Sequence, residues 1–133
     1  MARPKNEEDK PLTDTEIQIM NVIWEQGSGT VHEVIEQLKI ENDKDYAYTT
    51  VSTMLRILEK KQALSSVKEG RGHRYTPKIK QEGYQKKAAK HLLKNVFQGQ
   101  RTRLIKNLLG SAKISKDELN EIKKLIDEKT RND

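Results

Sequence analysis

Thr50, Ser52, Thr53 and Arg56 place short hydroxyls and a guanidinium where a solvated helix ordinarily carries glutamate and lysine. Hydroxyls bond phosphates or base edges, a threonine methyl packs on a thymine methyl, and an arginine bonds guanine or phosphate. Tyr46, Tyr48 and Thr49 stand before or within the first turn of the same stretch, where the start of a reading helix reaches base edges. A second group, Lys68, Arg71, His73 and Arg74, brackets Gly70 and Gly72. A basic tip of this kind straddles phosphates or inserts Arg71 into a minor groove. Together the two groups offer the chemistry of double-stranded DNA recognition. Taken singly, a threonine-rich helix start is also a capping signal, and a basic loop is also a solubilising one.

Other chemistries find no support. The three histidines, His32, His73 and His91, fall on separate segments without helical pair spacing, and the chain has no cysteine. Zinc, disulfides and thiol catalysis are therefore not expected. There is no glycine-rich phosphate loop and no nucleophile with a base beside it, and Asp14 and Glu16 read as cap residues. No enzyme activity and no cofactor are expected.

The elements that must position these residues follow from periodicity. Thr13 to Glu16 spell a capping box, Ile17, Met20 and Trp24 recur at helical spacing, and Gly27 offers a stop, which predicts a helix over residues 14–26. A second box, Thr30 to Glu33, opens a helix over 31–38 with Val31, Val34, Ile35 and Leu38 on one face, followed by a charged linker over 39–45. A third helix, 49–62, carries Val51, Met54, Leu55 and Leu58 as its buried stripe. The period then changes, and residues 64–68 and 73–76 flank a glycine-bearing hairpin, with Tyr75 expected in the core. Three helices and a hairpin with a basic tip make a winged helix-turn-helix, mainly α with a small β-hairpin wing, over residues 12–77. Residues 1–11 are polar, charged and without periodicity and read as a disordered arm.

Residues 78–133 read as a helical dimerisation region. A helix over 81–97 gathers Tyr84, Ala88, Leu92 and Val96 on one side, and Gly99 breaks it. A short helix over 103–109 ends at Gly110, and a third capping box, Ser115 to Glu118, opens a last helix containing Leu119, Ile122, Leu125 and Ile126. These faces, with Leu109, have little of their own chain to pack against, so a second copy is the natural cover. A hydrophobic fraction of 33% against 35% charged residues agrees with apolar surface being buried between subunits.

The net charge of +6 is unevenly spread. Residues 1–45 hold five basic and eleven acidic side chains, 46–77 six and two, 78–113 ten and one, and 114–133 five and six. A basic middle favours a polyanion through counterion release, or is a lysine-rich solubilising face. No apolar run approaches the roughly 20 residues of a membrane span, and the N-terminus is unlike a signal peptide, so a soluble cytoplasmic chain without membrane insertion is expected.

The runs LTDTEIQIMNVIW (12–24), YTTVSTMLRILEKK (48–61) and GRGHRYTP (70–77) resemble the penicillinase repressor family of winged-helix regulators, of the BlaI and MecI type. The likeness extends to about residue 129. It implies a homodimer on a pseudo-palindromic operator, repressing β-lactamase or cell-envelope stress genes. It also implies release by a membrane sensor protease that cuts an Asn-Phe bond; the matching place is Asn107 and Leu108, with leucine replacing phenylalanine. The cysteine metal hook of the copper-responsive CopY branch is absent. Two other readings stay open at this point: release by a small ligand in a pocket at the dimer interface, and an architectural DNA binder without sequence preference.

Overall fold

The computed structural model describes residues 11–110 and 113–132. Apart from Pro11, the arm expected over residues 1–11 lies outside the described residues. The elements, in order, are α1 (Asp14–Gln26), α2 (Val31–Asn42), α3 (Tyr48–Lys60), β1 (Leu64–Glu69), β2 (Gly72–Pro77), α4 (Gln81–Asn95), α5 (Arg101–Gly110) and α6 (Lys116–Asn132). This is the expected fold class, helices with one antiparallel hairpin.

Both expected capping boxes close reciprocally at α1 and α2. Thr13 Oγ1 accepts from Glu16 N–H at 3.2 Å while Glu16 Oε1 accepts from Thr13 N–H at 2.8 Å, and Thr30 and Glu33 repeat the exchange. At α6, Ser115 Oγ accepts from Glu118 N–H at 3.1 Å. α2 runs past Leu38 to Asn42, through part of the expected linker, because Lys39, Ile40 and Glu41 sustain a helix after its buried stripe has ended. Asp43 stops it in the left-handed region, φ 52°. α3 ends in a Schellman arrangement: Gln62, φ 67°, donates to Glu59 O, and Ala63 N–H returns to Leu58 O.

The core is built from one face of each of the first three helices and the inner face of the hairpin. Ile19, Met20, Val22, Ile23, Val34, Leu38, Val51, Leu55 and Leu58 are wholly buried, and Leu64 and Tyr75 close the core from the strands. The strands pair from Leu64↔Pro77 to Glu69↔Gly72 through a two-residue connection. Gly70 has φ 59° at its first central position, as a type II′ turn requires. Gly29 and Tyr75 exchange N–H···O bonds of 2.9 and 2.8 Å, adding a short third rung to the hairpin. A Cβ at Gly29 would lie 3.2 Å from Val34 Cγ2, a tight contact that Val34 would have to relieve by shifting a few tenths of an ångström.

The chain divides into two compact units between Lys86 and Lys87, beyond the boundary expected after Pro77. The first unit holds the start of α4 because Trp24 Nε1 donates to Ile79 O at 3.0 Å and its ring lies 5.8 Å from that of Tyr84. The second unit holds the rest of α4 with α5 and α6. None of these three helices has a buried residue among those described.

Among the described residues of the first unit, one ion pair is largely buried. Lys61 Nζ approaches Glu16 Oε1 at 2.8 Å, with side chains 9% and 4% exposed. Burial pushes the Glu16 carboxyl up, but hydrogen bonds from Lys61 and Thr13 outweigh it and hold the group below its ordinary value. The stabilisation is therefore present above the unfolded glutamate range and is lost as pH falls through the folded value. Lys61→Met leaves a buried carboxylate unpaired and is expected to destabilise the chain by about 3–5 kcal/mol near neutral pH, with the deficit shrinking in acid. Urea unfolding at several pH values measures this; a deficit that is small or independent of pH would contradict the role given to the pair.

Candidate nucleic-acid interface

Burial of Val51, Leu55 and Leu58 fixes the rotation of α3 about its axis. At 100° per residue, Thr49, Ser52, Thr53, Arg56 and Lys60 then fall within an arc of about 100° on the opposite side. Thr49, Thr53, Arg56 and Lys60 are exposed and Ser52 half-buried, and Arg56 Nη2 donates to Ser52 Oγ at 3.3 Å. Thr50 is exposed, about 60° beyond this arc. The face presents hydroxyls, a guanidinium and an ammonium, with no acidic side chain among them. Lys60 was not among the expected contacts; its spacing of four from Arg56 was the available signal.

Tyr48 opens α3 and is 46% exposed. Its ring lies 5.0 Å from that of His32, in the first turn of α2, so the N-terminal ends of α2 and α3 meet at one edge of the face. His32 was weighed in the sequence only as a metal ligand. Among the described residues no group of histidines and carboxylates could hold a metal ion. Tyr46, expected to contact DNA, stands before α3 and is half-buried, packed against the core, while its neighbours Asp45 and Ala47 are exposed.

The wing divides its basic residues between two tasks. Arg71 sits exposed in the tip turn and Lys68 is exposed beside it, paired in register with His73. Arg74 is held differently. Its guanidinium donates to Glu33 Oε1 and Oε2 at 3.0 and 3.2 Å, to Glu69 Oε1 and Oε2 at 2.9 and 3.0 Å, and to Ser28 Oγ at 3.0 Å. Period-two alternation puts Arg74 on the face opposite Tyr75, where it ties the wing to the start of α2. The hydrogen bonds from Arg74 hold both carboxyls below their ordinary values, and the two carboxylates raise the guanidinium in turn. Arg74 thus offsets one of two carboxylate charges and hydrogen-bonds both groups, and its donors are spent within the chain.

The residues expected at a subunit interface are placed in two ways. Tyr84 packs on Trp24 in the first unit. In the second unit Leu92, Val96, Leu109, Leu119, Leu125 and Ile126 are exposed by 38–65%, Ala88 is exposed and Ile122 half-buried. Asn107 and Leu108 lie within α5, where Asn107 Nδ2 donates to Arg103 O at 2.9 Å and Leu108 is 59% exposed. No helix of the described residues is long and apolar enough to cross a membrane.

Comparison with known proteins identifies the family. The family model for the penicillinase repressor matches residues 12–128. The penicillinase repressor of Bacillus licheniformis is 32% identical over 117 residues, which cover 88% of this chain and 90% of that protein. The methicillin resistance regulatory protein MecI of Staphylococcus aureus is 23% identical over 118 residues, 89% of this chain and 94% of that protein. Among solved structures, monomeric Bacillus licheniformis BlaI in complex with the blaP half-operator is similar, at 38% identity and a TM-score of 0.45, covering 55% of this chain and 87% of that one. The chain therefore belongs to the penicillinase repressor family of DNA-binding transcriptional repressors.

Proposed function

We propose that this protein is a sequence-specific repressor that binds a pseudo-palindromic operator as a homodimer, controls β-lactamase or cell-envelope stress genes, and is released by cleavage in its C-terminal region. The observation that carries the reading is the α3 face: hydroxyls and a guanidinium stand opposite a wholly buried stripe, in a chain of a repressor family. In this reading α3 lies in the major groove with its first turns toward the bases, and Thr49, Thr50, Ser52, Thr53, Arg56 and Tyr48 supply the contacts. Lys68 and Arg71 contact phosphate. Arg74 acts through the wing, by keeping Glu33 and Glu69 from repelling the backbone.

Replacing Thr53 and Arg56 together with alanine is expected to cost about 1–3 kcal/mol per base-reading contact and to erode the preference for operator over random duplex. Arg71→Ala is expected to weaken all sequences alike and flatten the salt slope. Arg74→Gln is expected to weaken binding, and adding Glu33→Gln and Glu69→Gln to restore it, because glutamine keeps the α2 cap while removing the charge. Fluorescence anisotropy with both DNAs reads all three. Unchanged affinity and preference in the Thr53/Arg56 variant would refute the recognition-helix assignment.

The dimer and its release rest on the C-terminal helices. Ala88 and Leu92 on α4, Val96 just after it, Leu109 on α5, and Leu119, Ile122, Leu125 and Ile126 on α6 form the apolar faces offered to a partner. Joining two reading domains turns the second half-site contact into an intramolecular event at high effective concentration. A membrane sensor protease cutting between Asn107 and Leu108, with α5 opened locally, would remove α6 and that gain. Sedimentation of the full chain at micromolar concentration should give twice the monomer mass. A chain ending at Asn107 should sediment as a monomer and bind a two-half-site operator more weakly than the intact protein. Equal binding by the two would rule out release by C-terminal cleavage.

A further inference from the structure

The second unit carries a surface that the operator-reading face does not account for. Lys87, Lys90 and Lys94 recur along α4 at intervals of three and four and so line one side of the helix. Ala88, Leu92 and Val96 point to the opposite side. After α4 the chain turns through Gln98, φ 52°, and Gly99, φ 81°, both left-handed, and α5 begins at Arg101. The turn brings Arg101 beside Lys90 and Lys94, and the three cations line one open cavity of about 390 Å³ with Leu93, Gln98 and Gly99. Among the described residues, Lys87, Lys90, Lys94 and Arg101 are exposed and none of them forms an ion pair.

Solubility alone does not ask for this pattern. A surface kept for solubility intersperses both signs, as residues 114–133 do with five basic and six acidic side chains. Residues 78–113 instead set ten basic side chains against the single Glu82. Gathering three cations about one cavity with no carboxylate is repulsive unless an anion joins them. A polyanion gains most here, because each phosphate neutralised releases condensed counterions. The apolar side of α4 is separate, so a partner subunit seated there leaves the lysine side open.

The geometry points to a second DNA-binding surface, in which Lys87, Lys90, Lys94 and Arg101 hold the phosphate backbone of double-stranded DNA without reading its sequence. This rests on the reading of the chain as a DNA-binding repressor, and it adds a sequence-independent contribution from a region otherwise assigned to dimerisation. The surface raises affinity for operator and random duplex by the same factor and steepens the salt dependence of both.

The test compares the full chain with two triple variants of equal charge change, Lys90→Gln/Lys94→Gln/Arg101→Gln and, on α6, Lys116→Gln/Lys123→Gln/Lys124→Gln. Binding to random duplex and to a selected operator is followed by fluorescence anisotropy across a range of salt. The first variant is expected to lower the slope of log K against log salt by about 2–3 per bound subunit, and so by about 5 for the dimer, on both DNAs, with the operator-to-random ratio unchanged. The α6 variant is expected to keep the wild-type slope. A wild-type slope in the first variant, or equal lowering in both, would overturn the proposal. Arg101→Gln alone repeats the test with an expected drop of about 0.9 per bound subunit, and circular dichroism checks that helix content is retained. A wild-type chain that shows no preference for operator would sink the repressor reading, while the random-duplex arm would still decide the second surface.

Discussion

The rotation of α3 about its own axis governs the face proposed here to read DNA. Val51, Leu55 and Leu58 have no exposed surface, and they pack among Ile19, Ile23, Val34 and Leu38 from the two preceding helices. Each buried side chain of this size is worth about 1.5–3 kcal/mol relative to exposure, so turning α3 by half a revolution would forfeit several such contributions at once. The Schellman end at Gln62 and the Gly29–Tyr75 exchange fix the hairpin that follows, and Leu64 and Tyr75 seal the core beneath it. With that side committed, Thr49, Ser52, Thr53, Arg56 and Lys60 have only the outward side left to them.

Charge completes what packing begins. Glu33 is needed at the third position of α2 to close a capping box, yet it places a carboxylate at the helix start that meets Tyr48 through its neighbour His32. Arg74 resolves the conflict by binding Glu33 and Glu69 together, which also ties the wing to α2. The proposed task divides accordingly: Arg71 and Lys68 are left for phosphate, and Arg74 makes their surroundings tolerable to one.

Much of this was legible in the sequence because local signals and the global fold agree. Thr13, Thr30 and Ser115 cap where their spacing to a glutamate predicts, and the shift from a helical to an alternating period marks the hairpin. What was not legible depends on contacts between distant residues. Arg74 reads as one more base in a basic loop until β2 carries it within 3.0 Å of Glu33, 41 residues away. Tyr46 reads as a DNA contact before or within the first turn of the recognition helix, but it packs against the core. Tyr84 reads as part of an interface stripe, whereas Trp24 takes it, and the compact unit extends past Pro77 as a result. α2 outruns its apolar stripe because intrinsic propensity, not burial, sets its end.

The central claim is that the exposed face of α3 lies in the groove of its operator. The chain has no cysteine, so Lys60→Cys creates a unique attachment point for a DNA-cleaving iron chelate, one turn beyond Arg56 on the same face. The control is Ile40→Cys, about 12 Å along α2 from His32 and 70% exposed. With an operator selected from random sequence, the account predicts strand scission from position 60 confined to one fixed place in each half-site, and weak or absent scission from position 40. Scission from position 60 that is scattered along the DNA, or no stronger than from position 40, would contradict it.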